Sequence, residues 1–252
     1  MSTPVVLITG AAGGLGSALA KRFAQGGWRV AVTDVDSAGL HALSNSLPLA
    51  ASMSIDLRSA ANCQELVSCV LGRTGRLDAL VNAAGVWREG PVESFSEEDF
   101  DLVMAVNLKA AFFMCSATIP HLRESRGSIV NISSDAGHQG NRNAAAYCAA
   151  KGGLTLMGKT LALDLASDGI RVNTVSPGDI ATPMLDFQAE RYGEGNPKAY
   201  KRQLLSLYPQ GQDARFIRPD EVAELVWFLC QPHAEAITGA NLAIDFGLSA
   251  GK

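Results

Sequence analysis

The residues of this chain that could do chemistry include a tyrosine and a lysine four positions apart, in the stretch AAAYCAAKGG at 144–153. Residues at that spacing share one face of a helix, so Tyr147 and Lys151 can project in the same direction. An ammonium near a phenol favours the phenolate and lowers its pKa, and such a phenol can act as an acid or a base. The pattern also fits an ordinary helix with one aromatic residue and one surface lysine.

A glycine-rich turn follows the first apolar run of the chain. VVLIT at 5–9 leads directly into TGAAGGLG, which contains Gly10, Gly14 and Gly16. Glycines at the end of a strand permit a tight turn and let a diphosphate approach the backbone, while the next helix supplies N–H groups and a positive dipole. The spacing differs from the commoner Gly-x-Gly-x-x-Gly fingerprint, and a glycine-rich turn of another α/β protein is the alternative interpretation.

The second predicted strand ends in an acidic residue, Asp34. A carboxylate at that position accepts hydrogen bonds from adenosine ribose hydroxyls and repels a 2′-phosphate. Neither Gly13 nor Val35 offers a basic side chain to such a phosphate. The sequence therefore favours NAD over NADP as cofactor, and a solvated aspartate at the end of a strand is the alternative.

The elements that must position these residues alternate along the chain. Short β-branched runs predict strands at 5–9, 29–34, 79–85, 127–134, 171–178 and 241–245, with a weaker one at 49–56. Longer patterned segments predict helices at 14–26, 37–46, 59–73, 97–118, 145–167 and 219–230. Strand–helix alternation predicts an α/β fold with a parallel sheet and helices on both faces.

Two further features concern the ends and gaps of these elements. Ser96 is a possible cap of the helix at 97–118, with Asp99 at its third position. The segment 183–212 is predicted to be long and irregular, which makes it a candidate lid over a functional site.

Composition excludes several classes of function. The 252 residues suit one large domain, or at most two small ones, and the net charge of −4 argues against a binder of nucleic acid. No basic amphipathic stretch indicates a membrane surface, and no apolar run approaches the ~18 residues of a membrane span. Five scattered cysteines without a Cys-x-x-Cys pair predict reduced thiols and no zinc site. Together with the absence of a signal-peptide pattern, these features predict a cytoplasmic protein.

Five motifs occur in the order and spacing of the short-chain dehydrogenase/reductase family: TGAAGGLG, NAAG at 82–85, NISS at 131–134, YCAAK at 147–151 and PGDIAT at 177–182. The chain resembles that family over essentially its whole length. The resemblance implies a single-domain, Rossmann-type doubly wound parallel sheet over residues 1–252. One departure is Ala83, where many members have a second asparagine.

The resemblance implies a catalytic set of four side chains. Tyr147 would exchange a proton with the substrate oxygen, and Lys151 would lower the pKa of that tyrosine and hold the nicotinamide ribose. Ser134 would hydrogen-bond the same substrate oxygen, and its neighbour Ser133 is the less favoured candidate. Asn107 would support a water and proton relay to the lysine, or else it is a satisfied core amide.

The resemblance also implies cofactor contacts and an assembly. Asp56 and Leu57 would contact the adenine, whereas Ile180 and Thr182 would hold the nicotinamide carboxamide. A homotetramer would form through the helices at 97–118 and 147–167. The full set of implied cofactor contacts is Gly10, Gly14, Leu15, Gly16, Asp34, Asp56, Leu57, Asn82, Ala83, Gly85, Tyr147, Lys151, Pro177, Gly178, Ile180 and Thr182.

The substrate residues are the least defined. Beside Ser134 and Tyr147, polar or aromatic groups near the motifs are candidates for lining the substrate pocket, namely Trp87, His138, Asn141 and Asp179. Their polarity favours a hydroxylated substrate such as a polyol or sugar derivative over a steroid, although each residue could also be a solvated loop residue.

The sequence thus predicts an NAD(H)-dependent oxidoreductase that interconverts a secondary alcohol and a ketone. The alternatives are an NADPH-dependent carbonyl reductase and a scaffold that binds a dinucleotide without turnover. The complete set of proton-handling residues argues against the scaffold.

Overall fold

The computed structural model describes residues 3–251, in which strands and helices alternate. The strands are β1 (Val5–Thr9), β2 (Arg29–Asp34), β3 (Ala51–Ser54), β4 (Ala79–Asn82), β5 (Ser128–Ile132), β6 (Arg171–Pro177) and β7 (Asn241–Ile244). The helices are α1 (Gly14–Gln25), α2 (Ser37–Ser46), α3 (Ala60–Thr74), α4 (Glu97–Met104), α5 (Ala110–Ser125), α6 (Ala145–Leu165), α7 (Pro183–Tyr192), α8 (Pro197–Leu205) and α9 (Pro219–Leu229).

The strands form one parallel sheet in the order β3-β2-β1-β4-β5-β6-β7. The chain moves outward from β1 to β3 and then returns to place β4 on the other side of β1. Connections that leave in opposite directions open a crevice at the carboxyl ends of β1 and β4, where α/β proteins bind their ligands. The predicted Rossmann-type doubly wound sheet is therefore confirmed.

Both faces of the sheet are covered by helices. Val6 and Ile8 of β1 pack on one face with residues of α1, α2 and α9. Val5 and Leu7 point to the other face and pack with residues of α3, α5 and α6. Because both faces are buried, the strands are continuous apolar runs rather than alternating ones, which is the pattern the sequence shows.

The boundaries of β1, β2 and α2 agree with the sequence-based prediction. The predicted Ser96 cap of α4 is confirmed, because the Ser96 side chain accepts a hydrogen bond from the Asp99 N–H at 3.1 Å. Strand β4 ends at Asn82, three residues earlier than predicted. The next two amides, those of Ala83 and Ala84, donate to the Thr9 hydroxyl instead of to a neighbouring strand.

The prediction of one regular helix at 97–118 is wrong in two respects. A π-helical turn, Ala105–Lys109, separates α4 from α5. In that turn the Asn107 side chain donates to the Val103 carbonyl at 3.0 Å and so competes with the regular backbone ladder. The helix also continues through Pro120 to Ser125, and Arg126 ends it with a φ of 51°.

The prediction that 183–212 is irregular is also wrong. This segment contains α7, α8 and a short 3₁₀ turn, Gly211–Asp213. Proline occupies the start of both α-helices, and the Asn196 side chain caps α8 by accepting from the Ala199 N–H at 3.0 Å. These helices have only 10 and 9 residues, and no residue of α8 is buried, so neither shows the long apolar pattern by which a core helix is recognised from sequence.

Candidate active site

A cavity of about 1060 Å³ lies along the carboxyl edge of the sheet, from the glycine-rich turn to α7. Most of the residues that the sequence implicated in cofactor binding line this cavity, including Tyr147 and Lys151. Four other candidate catalytic or substrate residues also line it. These lining residues are Gly10, Gly14, Leu15, Gly16, Asp34, Asp56, Leu57, Ala83, Gly85, Tyr147, Lys151, Pro177, Gly178, Ile180, Thr182, Trp87, Ser134, Asn141 and Asp179.

The glycine-rich turn presents bare backbone to this cavity. Gly10 has a φ of +68°, and a Cβ there would lie 2.7 Å from the Cα of Ala84. A Cβ on Gly16 would collide with the Gly10 carbonyl oxygen. Within residues 3–251, no side chain caps the first turn of α1, so its N–H groups are open to an anionic ligand. The turn therefore fits the diphosphate of a dinucleotide.

Asp34 is held in place at the cavity wall. Its carboxylate accepts from the Ala12 N–H at 2.9 Å and from the Asp36 N–H at 3.0 Å. A basic residue that the sequence analysis missed, Arg58, also lines the cavity. Its guanidinium pairs with Asp56 at 2.6 Å, and this hydrogen-bonded pair holds the pKa of the Asp56 carboxyl below its ordinary value.

Tyr147 and Lys151 are buried on neighbouring turns of α6. The Lys151 Nζ lies 5.6 Å from the centre of the Tyr147 ring and donates to the Ile132 carbonyl at 2.8 Å. Burial raises the pKa of Tyr147, and the charge of Asp135 raises it further, while a hydrogen bond with Ser134 opposes both. Burial lowers the pKa of Lys151 to about 8.

These pKa shifts correct the expectation that Lys151 lowers the pKa of Tyr147. Lys151 does not lower the pKa of Tyr147 in this structure, because desolvation of the phenol dominates and the ammonium is directed at a backbone carbonyl. Among the described residues no carboxylate forms an ion pair with Lys151, so its ammonium is available to a ligand in the cavity.

The two serines that follow β5 have different surroundings. The Ser133 hydroxyl donates to the Lys151 carbonyl at 3.0 Å and lies 2.9 Å from the Thr155 hydroxyl, so it is used in packing α6 on the sheet. Ser134 donates to Asp135 at 2.6 Å and its hydrogen bond with Tyr147 influences the phenol. The geometry thus favours Ser134 over Ser133 as the partner of the tyrosine.

Asn107 lies behind the cavity wall rather than in it. Its side chain accepts from the Val86 N–H and donates to the Val86 carbonyl, each at 3.0 Å, and thereby fixes the loop after β4. A Cβ on Gly85 would lie 3.0 Å from Asn107 Oδ1 and 3.7 Å from Lys151 Nζ. Glycine at position 85 therefore lets the loop approach both polar side chains.

Two further predicted site residues do not line the cavity. Asn82 is buried beneath it and donates to the Asn131 side chain at 2.9 Å, which joins β4 to β5. His138 is exposed, and its ring faces Asn241 at 3.5 Å. The position of His138 four residues after Ser134 misled the prediction, because a 3₁₀ turn at Asp135–Gly137 turns the chain away from the cavity.

Three acidic or phenolic groups near the site were missed by the sequence analysis. Asp135 is buried beside Ser134 and accepts from Gln139 and Asn141 as well. Glu89 lies in the loop after β4 and accepts from Trp87 at 2.7 Å. Tyr208 donates to Asp179 at 3.1 Å from beyond α8. Closeness in sequence to NISS and NAAG could have indicated Asp135 and Glu89, whereas nothing in the sequence pattern indicated Tyr208.

Comparison with known proteins identifies the family. Residues 10–249 match a family described as enoyl-(acyl carrier protein) reductase. The chain is 38% identical to a 3-oxoacyl-[acyl-carrier-protein] reductase of Thermotoga maritima over 97% of both chains. It is 38% identical to D-threitol dehydrogenase of Mycolicibacterium smegmatis, over 96% of this chain and 92% of that one. It is 37% identical to L-fucose dehydrogenase of Mus musculus, over 99% and 90%.

Solved structures agree with these relatives. A 3-ketoacyl-(acyl-carrier-protein) reductase of Brucella melitensis complexed with NADH superposes with a TM-score of 0.87 at 33% identity, over 98% of each chain. A single-residue variant of actinorhodin polyketide ketoreductase with NADPH gives a TM-score of 0.93 at 33% identity, over 99% of this chain and 98% of that one. The chain belongs to the short-chain dehydrogenase/reductase family. It is an oxidoreductase of secondary alcohols and ketones that uses a nicotinamide dinucleotide.

The half-buried carboxyl group of Asp179 leads to a prediction about stability. Burial raises its pKa from 3.8 to about 6, with the Asp135 charge adding to the effect and the Tyr208 hydrogen bond opposing it. The folded state therefore binds more protons than the unfolded state between these values, so this group lowers stability as pH rises from about 4 to about 6.

We expect Asp179→Asn to raise the free energy of unfolding at pH 7.5 by about 1–3 kcal/mol, because the amide carries no charge to desolvate. The difference from wild type should shrink below pH 5. Urea denaturation at one fixed protein concentration measures both values, and Asp213→Asn, at an exposed position, serves as the matched control. A variant less stable than wild type at pH 7.5 would contradict this account of Asp179.

Proposed function

We propose that this protein is an NAD(H)-dependent dehydrogenase that oxidises a secondary hydroxyl of a small polyol or sugar-like molecule and catalyses the reverse reduction. The observation that carries the cofactor preference is Asp34, whose carboxylate two backbone N–H groups hold at the adenosine end of the cavity. A 2′-phosphate next to that carboxylate would be repelled, and the Arg58 guanidinium near it is already paired with Asp56.

The proposed chemistry of the protein is the management of one proton. A nicotinamide dinucleotide, when bound, supplies the transfer of a hydride. Tyr147 exchanges a proton with the substrate oxygen, and Ser134 hydrogen-bonds the same oxygen as charge develops there. Lys151 is a buried cation whose Nζ lies 5.6 Å from the centre of the Tyr147 ring, and it would hold the nicotinamide ribose. Asn107 holds the loop beside the lysine.

The polar groups at the other end of the cavity support a hydroxylated substrate. Asp135, Asn141, Asp179 and Gln188 line the cavity, and Arg58 is the one arginine among the described lining residues and is paired with Asp56. Carboxylates and amides accept hydrogen bonds from hydroxyls, and the carboxylates disfavour an anionic substrate. The similarity to D-threitol and L-fucose dehydrogenases supports the same substrate class. The segment 183–212, with α7 and α8, is the proposed lid over this end.

The proposed assembly is a cytoplasmic homotetramer. Its support is apolar side chains on the outer surfaces of α5 and α6, where Phe112, Leu156 and Leu163 are 51%, 66% and 81% exposed. By length and composition alone the helical stretch Glu97–Ser125 could cross a membrane, a test that the core helix of a globular protein also satisfies. Its packing on β4 and β5 through Met114 and Leu122 supports the core helix, with the outer side covered by another subunit.

The reaction mechanism is tested by Tyr147→Phe, which removes the proton-transferring oxygen and keeps the ring. We expect a loss of at least ~100-fold in kcat/KM for alcohol oxidation, the usual cost of losing a general acid or base. NADH binding, followed by fluorescence, should survive. Lys151→Ala should lose activity and also weaken NADH binding.

The matched control is Lys21→Ala, which removes an exposed lysine from α1, outside the proposed tetramer contact, and should leave both measurements unchanged. A panel of secondary alcohols, polyols and sugars identifies the substrate in these assays. Full activity of folded Tyr147→Phe would contradict the mechanism, and no absorbance change with any substrate would favour the scaffold interpretation.

The cofactor preference is tested by Asp34→Asn combined with Val35→Arg. The amide keeps a hydrogen-bond acceptor for the loop, while the charge is lost and a basic group is placed at an exposed position of the cavity wall. We expect the ratio of kcat/KM for NAD to that for NADP to fall by roughly tenfold or more, about 1.4 kcal/mol for each factor of ten. Val35→Ala alone should leave the ratio unchanged. Wild-type protein with equal or better efficiency on NADP would overturn the assignment of Asp34.

The assembly is tested by light scattering at micromolar concentration. We expect a mass four times the 26.5 kDa of the chain. Leu156→Glu with Leu163→Glu should dissociate the particle, because charges would be buried at the proposed contact. Leu207→Glu, at an exposed position outside α5 and α6, should leave the mass unchanged. A monomeric wild-type protein would rule the tetramer out.

A further inference from the structure

The loop after β4 joins the catalytic tyrosine to a carboxylate. The ring centre of Trp87 lies 4.5 Å from that of Tyr147, with the planes tilted by 57°. The indole N–H of Trp87 donates to Oε2 of Glu89 at 2.7 Å. The orientation of the ring that covers Tyr147 is therefore set by Glu89.

The same carboxylate holds the two helices of the 183–212 segment. Oε2 of Glu89 also accepts from the hydroxyl of Tyr200 on α8 at 3.0 Å. The Glu89 N–H donates to the hydroxyl of Tyr192, the last residue of α7, at 3.4 Å. One residue of the loop thus contacts Trp87 and both helices.

Glu89 is partly buried in this network, and burial raises the pKa of its carboxyl while the hydrogen bonds from Trp87 and Tyr200 oppose the shift. Within residues 3–251 no lysine or arginine forms an ion pair with it. Its neighbour Arg88 pairs instead with Asp99 at 2.8 Å and lies 5.7 Å from the ring centre of Phe187. The Glu89 carboxylate therefore accepts hydrogen bonds from two neutral donors, the Trp87 indole and the Tyr200 hydroxyl. Removal of the carboxylate leaves both donors without this partner.

We propose that Glu89 is a positioning residue that couples the docking of α7 and α8 to the placement of Trp87 against the catalytic Tyr147. When α8 is docked, Tyr200 shares the carboxylate oxygen with Trp87, and the indole is fixed beside the phenol. When α8 moves away, that oxygen loses a partner and the indole is held less firmly. The substrate end of the cavity therefore reaches its reactive shape only with both helices in place. The expected effects on KM and kcat rest on the proposed function. The expected effects on the docking of α7 and α8 rest on the contacts of Glu89 alone.

The kinetic test compares Glu89→Ala with Glu89→Gln. We expect Glu89→Ala to raise the KM for the alcohol at saturating NAD by about tenfold or more and to lower kcat, since two hydrogen bonds to a charged group are lost. Glu89→Gln keeps an acceptor oxygen and should restore most of the activity. NADH binding should change little in either variant, because Glu89 lies outside the cavity lining.

Coupling is tested with Tyr200→Phe. The double variant Glu89→Ala, Tyr200→Phe should be no worse than Glu89→Ala, because both changes remove the same contact. Glu93→Ala is the matched control: it removes an exposed glutamate four residues further along the chain, whose side chain forms no hydrogen bond or ion pair within residues 3–251. It should leave KM and kcat unchanged.

Limited trypsin digestion gives a readout that needs no turnover. Arg191, Lys198 and Arg202 lie in or beside the two helices. Cleavage there should be faster in Glu89→Ala than in wild type, Glu89→Gln or Glu93→Ala. A folded Glu89→Ala protein with wild-type kinetics and wild-type digestion would overturn the proposal, as would fully multiplicative effects of Glu89→Ala and Tyr200→Phe. If wild type turns over no alcohol, the proposed function fails, and the digestion rates still decide the role of Glu89.

Discussion

The structure depends on the close approach of two backbone segments at the centre of the sheet. The Thr9 hydroxyl at the end of β1 accepts from the N–H groups of Ala83 and Ala84, at 3.0 and 3.1 Å, just after β4. Gly10 completes the contact, since any side chain there would collide with Ala84. This contact fixes both walls of the crevice where the strand order reverses. The glycine-rich turn on one side and the loop carrying Gly85, Val86 and Trp87 on the other therefore face each other across a cavity of defined width.

Several ionisable groups of the site lie where burial disfavours their charged forms. Lys151 is buried against a backbone carbonyl, and Tyr147 is buried beneath Trp87. Desolvation favours the neutral form of each group, so it lowers the pKa of Lys151 and raises the pKa of Tyr147. Asp135 and Asp179 add negative charge at the substrate end, where burial raises the pKa of Asp179 to about 6. Such an arrangement is costly for stability and is typical of sites whose groups are poised for a ligand. The helices and sheet contribute the stability that maintains it, through two apolar clusters on opposite faces.

The proposed substrate end of the cavity differs from the proposed cofactor end in how it is built. The proposed cofactor end consists of backbone and of residues at the ends of strands. The proposed substrate end consists of the loop after β4, the turn after β5 and the helices α7 and α8, which are connected mainly by side chains such as Glu89, Tyr192, Tyr200 and Tyr208. Loops and short helices can vary while the sheet is kept, and relatives of this family with similar folds accordingly carry names that range from ketoacyl reductases to sugar and polyol dehydrogenases.

The sequence by itself determined the class of fold, because buried parallel strands must be apolar runs and their connections must be helical; β1, β2 and α2 were predicted to the residue. It also determined local features, such as the Ser96 cap and the shared face of Tyr147 and Lys151, since these involve neighbours along the chain. Only the tertiary structure decided where the polar side chains lie: His138 turns outward, Asn82 lies beneath the cavity, Asp135 lines it, and Glu89 hydrogen-bonds to Trp87 and Tyr200 outside the lining. It also decided that the pKa of Tyr147 is raised and that the segment 183–212 contains helices. Burial and the hydrogen bonds between distant segments control these properties, and neither is encoded in spacing along the chain.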